Sequence, residues 1–267
     1  MNVAYSGIGR KLGRQQSRAD AGAERAFTRS DLMVVIGVVG ILLGWFGLWQ
    51  FGEYGRIARC AANLRVLGQA MQSFANDHQD ALPPAVAGQT AWDAQIAPYL
   101  PEKLAKRGLD SLFRCPSDRL AHSRARSYAM SAHDMHLDNW PLGPNNDTGV
   151  GLVWSQESMQ RVLNEQQCKM AATNMDFLAM MKRSSIPVPA KTLLLTEMIS
   201  SQNNLKDTTL AAISGPDEQL QGFVNKNAYI HYGRYNYLMM DGHVELLFPL
   251  QTEAPGGGGI WNISKSN

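Results

Sequence analysis

The sequence predicts an α+β fold in which a long N-terminal helix packs on a C-terminal antiparallel sheet, and three observations carry that reading. An uncharged apolar run from Leu32 to Trp49 leads into an amphipathic stretch that continues to Phe74. No proline falls between Phe27 and Leu82, and the strand and hairpin signals are confined to the second part of the chain. The 267 residues have room for one large domain or two small ones.

Residues 1–26 hold Arg10, Lys11, Arg14, Arg18 and Arg25 against Asp20 and Glu24, and the remainder is close to neutral, with 20 basic and 21 acidic residues. A near-neutral remainder offers no basic face for nucleic acid. The apolar run, at 1.5 Å per residue, is about 27 Å long, close to the thickness of a hydrocarbon core, so residues 27–53 are expected to form a transmembrane helix. A secretory signal would have a shorter apolar region with a small-residue cleavage site, whereas the charged segment "EYGRIARCAANLR" follows this one. The basic segment before it predicts a cytoplasmic N-terminus, a single pass through the inner membrane, and a C-terminal domain that is periplasmic or extracellular. Gly37, Gly40, Gly44 and Gly47 step along one face of that helix, and small residues at such spacing let apolar helices approach closely.

Residues 54–84 continue as an amphipathic helix and a turn. Ile57, Ala61, Leu64, Leu67, Met71 and Phe74 recur at steps of three and four, and "NDHQDALPP" supplies the stop. One helix from about residue 28 to about residue 78 would be about 75 Å long. Residues 85–267 read as a globular domain with a flexible C-terminal tail. Residues 90–100 suggest a short helix, 112–118 a strand end entering a turn, and 136–151 a loop. Residues 157–183 suggest a helical insertion, 190–198 a strand, and 214–219 a turn. The clearest element is "YNYLMMDGHVELLF", where Asp241-Gly242 between two apolar runs predicts a hairpin with a type I′ turn.

The chemistry-bearing residues are few. There is no G-x-S-x-G elbow, H-E-x-x-H, phosphate loop or CxxC pair, so no enzyme is expected. His231, Asp241 and His243 are possible metal ligands or acid–base groups, and a metal-dependent enzyme built on them is the reading in a third class. The hairpin already accounts for Asp241 and Gly242, so a structural role is preferred and no metal is assigned. Cys60, Cys115 and Cys168 leave one cysteine unpaired if a disulfide forms; Cys60 with Cys115 is the candidate pair in an oxidising compartment, the alternative being three free or buried thiols. Asp31 sits at the start of the apolar run, where a carboxylate either answers the positive end of the helix or meets a nearby amine.

"RAFTRSDLMVVIGVVGIL" resembles the N-terminal cleavage and methylation segment of type IV prepilins and type II secretion pseudopilins. "RCAANLRVLGQAMQSFANDHQDALPP", "LFRCPSD", "RSYAMS", "PAKTLLLTE" and "HYGRYNYLMMDGHVE" are similar, in order, to the pieces of a pilin-like group abundant in planctomycetes and verrucomicrobia. That group often has a histidine, nine residues and then Asp-Gly, as His231 and Asp241-Gly242 stand here. The resemblance implies a pilin-like fold, cleavage between Ala26 and Phe27 by a prepilin peptidase, N-methylation of Phe27, and assembly with other pilin or pseudopilin subunits through the apolar helix, with Asp31 paired to the new amine. Ala26, Arg29, Ser30 and Asp31 depart from the usual segment. No cofactor is expected, although pseudopilins as a group can hold calcium in a C-terminal loop, and "DNWPLGPNNDTG" has oxygen donors. The expected role is a structural subunit of a type IV pilus or type II secretion pseudopilus. The alternative is a membrane-anchored extracytoplasmic domain that binds carbohydrate or another envelope ligand and does not polymerise.

Overall fold

The computed structural model describes residues 28–102, 111–120, 124–133, 149–154, 166, 180–224, 229–253 and 259–263, with the backbone alone for 46–51 and 221–224. The expected leader, the Ala26–Phe27 cleavage site, Cys168, most of the 136–151 loop and nearly all of the 157–183 insertion lie outside these residues. The chain divides into two units, Met1–Gly47 and Leu48–Asn267.

In the first unit, helix α1 (Arg29–Asp77) begins at a reciprocal cap. The Asp31 amide donates to Thr28 Oγ1 (3.2 Å), while Asp31 Oδ2 accepts from the Thr28 amide (2.9 Å) and hydroxyl (2.7 Å). These bonds from Thr28 hold the Asp31 carboxyl below its ordinary value. Leu32, Ile36, Val39 and Leu43 are all exposed, and a Cβ added at Gly37, Gly40 or Gly44 would meet nothing within 4 Å.

The transmembrane half of the expected helix is corrected. No helix among the described residues is long and apolar enough to cross a membrane.

The second unit is built on an eight-stranded sheet, ordered β2-β1-β4-β3-β5-β7-β8, with β6 paired to β3. The strands are β1 (Val86–Ala87), β2 (Thr90–Ala91), β3 (Tyr128–His133), β4 (Gly151–Trp154), β5 (Leu193–Glu197), β6 (Ala212–Ile213), β7 (Tyr235–Met239) and β8 (Val244–Leu247). The expected pilin-like fold with an antiparallel sheet is therefore also corrected: β4 runs parallel to β1 and to β3, and β6 runs parallel to β3, giving a mixed sheet. Among the described strands, the pairs β1–β2, β3–β5, β5–β7 and β7–β8 are antiparallel. Parallel neighbours need a crossover rather than a tight turn.

Within this unit α1 buries Cys60, Leu64, Leu67, Met71 and Phe74, each at or below 1% exposure, so the predicted stripe is the buried face. Each large apolar side chain so buried contributes about 1.5–3 kcal/mol. Ala61 is only partly buried; Cys60 takes the core position beside it. The helix meets β7, where Leu238 stands against Gly68, and Gln72 Nε2 donates to the Met240 carbonyl (3.3 Å). The chain leaves the helix through Gln79 and Asp80, both in the left-handed region. Arg183 closes this end by donating to Asp80 Oδ1, Gln72 Oε1 and Asn76 Oδ1 at 2.7, 2.6 and 2.9 Å.

Other elements refine the sequence reading. Helix α2 (Trp92–Ile96) lies within the expected short helix, and a 3-10 turn at Ala97–Tyr99 extends it. The expected turn at 214–219 instead starts helix α3 (Pro216–Val224), with proline in its first turn and Glu218 Oε1 accepting from the Ser214 amide (2.7 Å). In the β7–β8 hairpin the Gly242 amide donates to the Met239 carbonyl (3.0 Å), and of the two turn residues only Gly242 has a positive φ, 94°. That is the pattern of a type I turn closed by a left-handed glycine rather than a type I′ turn. Part of the expected flexible tail is anchored: Trp261 is buried and its indole N–H donates to Thr252 Oγ1 (2.7 Å).

Arg126 is a fully buried charge of the core. Its guanidinium donates to Asp93 Oδ1 (2.6 Å), Asn203 Oδ1 (2.8 Å), and the carbonyls of Asp207 (3.1 Å) and Thr209 (3.2 Å). It also lies 5.7 Å from the centre of the Trp92 ring.

Candidate functional site

Four chain segments of the second unit bring chemistry to one buried point. Cys60 comes from α1, Cys115 from the turn before β3, Glu197 from the end of β5, and His231 from the 3-10 turn His231–Gly233 before β7. That turn holds three successive left-handed residues, His231 (φ 49°), Tyr232 (φ 59°) and Gly233 (φ 82°). Such a conformation in non-glycine residues is costly and is often found where a side chain must be aimed.

The aim is visible in the contacts of the imidazole. Nδ1 lies 2.9 Å from Glu53 Oε1, and Nε2 lies 3.0 Å from Glu197 Oε1 and 3.3 Å from Cys115 Sγ. Burial disfavours a charged ring, but the Glu197 and Glu53 carboxylates outweigh it and raise His231 above its ordinary pKa. Glu53 is itself tied down, accepting from the Ser117 hydroxyl (2.7 Å) and Arg56 Nε (2.7 Å). Partial burial would push its carboxyl up, but Ser117, Arg56 and His231 together bring it down to about 2. Glu197 is wholly buried, and its Oε2 accepts from the Asn236 amide (2.7 Å) and Nδ2 (3.2 Å), leaving Oε1 toward the imidazole. Cys60 and Cys115 are joined as a disulfide, with Cα atoms 5.2 Å apart.

This arrangement separates the residues that the sequence grouped. His231 is buried in the cluster, whereas Asp241 and His243 stand at the exposed hairpin. There His243 Nδ1 contacts Asp241 Oδ1 (2.6 Å) and Nε2 contacts Glu245 Oε1 (3.1 Å). His231, Asp241 and His243 thus do not form one site. Glu53, Ser117, Glu197 and Asn236 were not singled out from the sequence. One signal was available: a glutamate closing the apolar strand "LLLTE" has to find a partner if that strand is buried. Of the assembly residues, Asp31 caps its own helix, and Gly37, Gly40 and Gly44 face open space. Ala26 and Phe27 lie outside the described residues, as do the oxygen donors of 138–148.

A groove of about 220 Å³ borders the cluster, lined by Tyr54, Ile57, His231, Tyr232, Arg234 and Phe248. The Arg234 guanidinium lies 4.8 Å from the centre of the Phe248 ring. Comparison with protein-family models, with curated proteins and with solved structures gives no match to this chain.

Proposed function

We propose that the protein is a structural subunit that assembles with like subunits through the apolar part of α1, as in a type IV pilus or type II secretion pseudopilus. One observation carries the reading: Leu32, Met33, Val34, Ile36, Ile41, Leu42 and Trp45 are each at least half exposed around the whole helix. A contiguous apolar surface of this kind marks an interaction site. The glycine face supports close helix approach, and the resemblance of "RAFTRSDLMVVIGVVGIL" to prepilin segments supports processing between Ala26 and Phe27. The disulfide favours an oxidising, extracytoplasmic setting for the second unit.

The test is crosslinking in the native host, with Gly37→Cys and Gly44→Cys introduced into the full chain. A multimer ladder that the parent chain lacks is expected, together with an N-terminus at Phe27 by mass spectrometry. Crosslinks no larger than a dimer would overturn the reading.

A second reading has its own support. The groove beside His231 combines Tyr54, Tyr232 and Phe248 with Arg234, an aromatic and cationic lining suited to a sugar or another envelope ligand. A non-polymerising binding domain would use this face, and the same crosslinking experiment distinguishes it.

A further inference from the structure

We propose that the cluster of Cys60, Cys115, His231 and Glu197 is a redox-gated zinc site, a disulfide when oxidised and a four-ligand metal centre when reduced. The ligand atoms of these four buried residues lie within 4.8 Å of one another. A tetrahedral ion with bonds of about 2.0–2.3 Å sets its ligands roughly 3.3–3.8 Å apart. His231 Nε2 already stands 3.0 Å from Glu197 Oε1 and 3.3 Å from Cys115 Sγ, close to the separations such an ion sets, and reduction frees the Cys60 sulfur to take the fourth position.

The surroundings are organised as a metal site requires. Nε2 faces the sulfur and the carboxylate, while Nδ1 faces Glu53 Oε1, the carboxylate–imidazole pairing that orients a metal-bound histidine. Glu53 is fixed in turn by Ser117 and Arg56. Glu197 is fixed by Asn236 through Oε2 alone, which leaves Oε1 as the ligand oxygen. Two thiolates, one imidazole and one carboxylate match the borderline-soft preference of zinc, and complete burial makes the site a closed, structural one.

The step between the two states balances. A dithiol reductant gives two electrons and two protons to the Cys60–Cys115 bond and is itself oxidised to a disulfide, leaving two thiols. Zinc then displaces to solvent both thiol protons and the proton held between His231 Nε2 and Glu197 Oε1, and binds the two sulfurs, Nε2 and Oε1. The redox state of the compartment thereby decides which crosslink holds α1 to the turn before β3.

The test uses the full chain carrying Cys168→Ser, so that the third cysteine adds no ligand. His231→Ala, Glu197→Gln, Glu53→Gln and His243→Ala are each purified oxidised, with the disulfide holding the fold. They are then reduced anaerobically with a water-soluble phosphine, which is removed before titration with zinc alone or cobalt alone. We expect one tightly held zinc in the reduced parent and none in the oxidised parent, with a thiolate-to-cobalt charge-transfer band. His231→Ala and Glu197→Gln should abolish tight binding, and Glu53→Gln should weaken it about 10–100-fold. His243→Ala should leave it unchanged.

Equal zinc uptake by the oxidised and reduced parent, or loss of uptake in His243→Ala, would overturn the proposal by placing the metal elsewhere. Circular dichroism covers the case in which reduction unfolds the chain: recovery of the folded spectrum on adding zinc supports the site, and no recovery overturns it.

Discussion

Replacing Arg126 with methionine tests how the interior of the second unit is held together. Methionine keeps much of the apolar length of the side chain and removes every donor. Asp93 Oδ1 loses its guanidinium, while Oδ2 keeps the Lys206 amide at 2.7 Å. The Asp207 and Thr209 carbonyls and the Asn203 side chain lose a donor as well. Burial lowers the pKa of Arg126 and Asp93 opposes that, so the charge is tolerated because its partner is present. Breaking a buried pair on one side costs about 3–5 kcal/mol, because a desolvated charge is left behind. We expect a loss of that size for Arg126→Met in urea unfolding at unchanged m-value. Adding Asp93→Asn should recover about 1–3 kcal/mol, since the orphaned charge is then gone. A single variant that loses less than about 1 kcal/mol, or a double variant no more stable than the single one, would refute the reasoning.

Two other perturbations have clear signs. The Cys60–Cys115 bond spans a sequence separation of 55, and the chain-entropy relation gives about 4 kcal/mol for a loop of that length, so Cys60→Ser/Cys115→Ser should lower stability by about 2–4 kcal/mol in chelator-containing buffer. An unchanged urea midpoint would show that the pair is not bonded. Asp80 is brought down to about 2, chiefly by the amide and side chain of Ser184 and by Arg183. Its folded pKa is depressed, so its stabilising effect is full above the ordinary carboxylate value and lost as pH falls through about 2. The stability gap between the parent and Asp80→Asn, followed by acid titration of unfolding, should close over that window.

The helix was legible because its second half obeys a single period: Leu64, Leu67, Met71 and Phe74 face one way, and all are buried. The β7–β8 hairpin was legible through Asp241-Gly242, although its turn type was not, because both candidate turns use a glycine with positive φ and differ at the residue before it. The mixed sheet was hidden for a physical reason. β5 and β7 are buried along their whole length and β3 nearly so, and strands covered on both faces lose the alternation that would reveal strand order and direction. The site was legible only residue by residue. Cys60, Cys115 and His231 could be picked out, but their meeting depends on β5 delivering Glu197 and on three left-handed residues turning His231 inward.

The disulfide also has a mechanical consequence. A pull entering α1 at Tyr54 reaches its covalent link at Cys60 and passes through Cys115 to the Phe113 carbonyl, which the Ser127 amide holds at 2.8 Å just ahead of β3. The contacts of Leu64, Leu67, Met71 and Phe74 lie beyond that junction. Weak contacts in series fail by peeling from the loaded end, one at a time. With a covalent bond ahead of them, they are spared the load, and the helix can serve as a tether without unzipping from its own sheet.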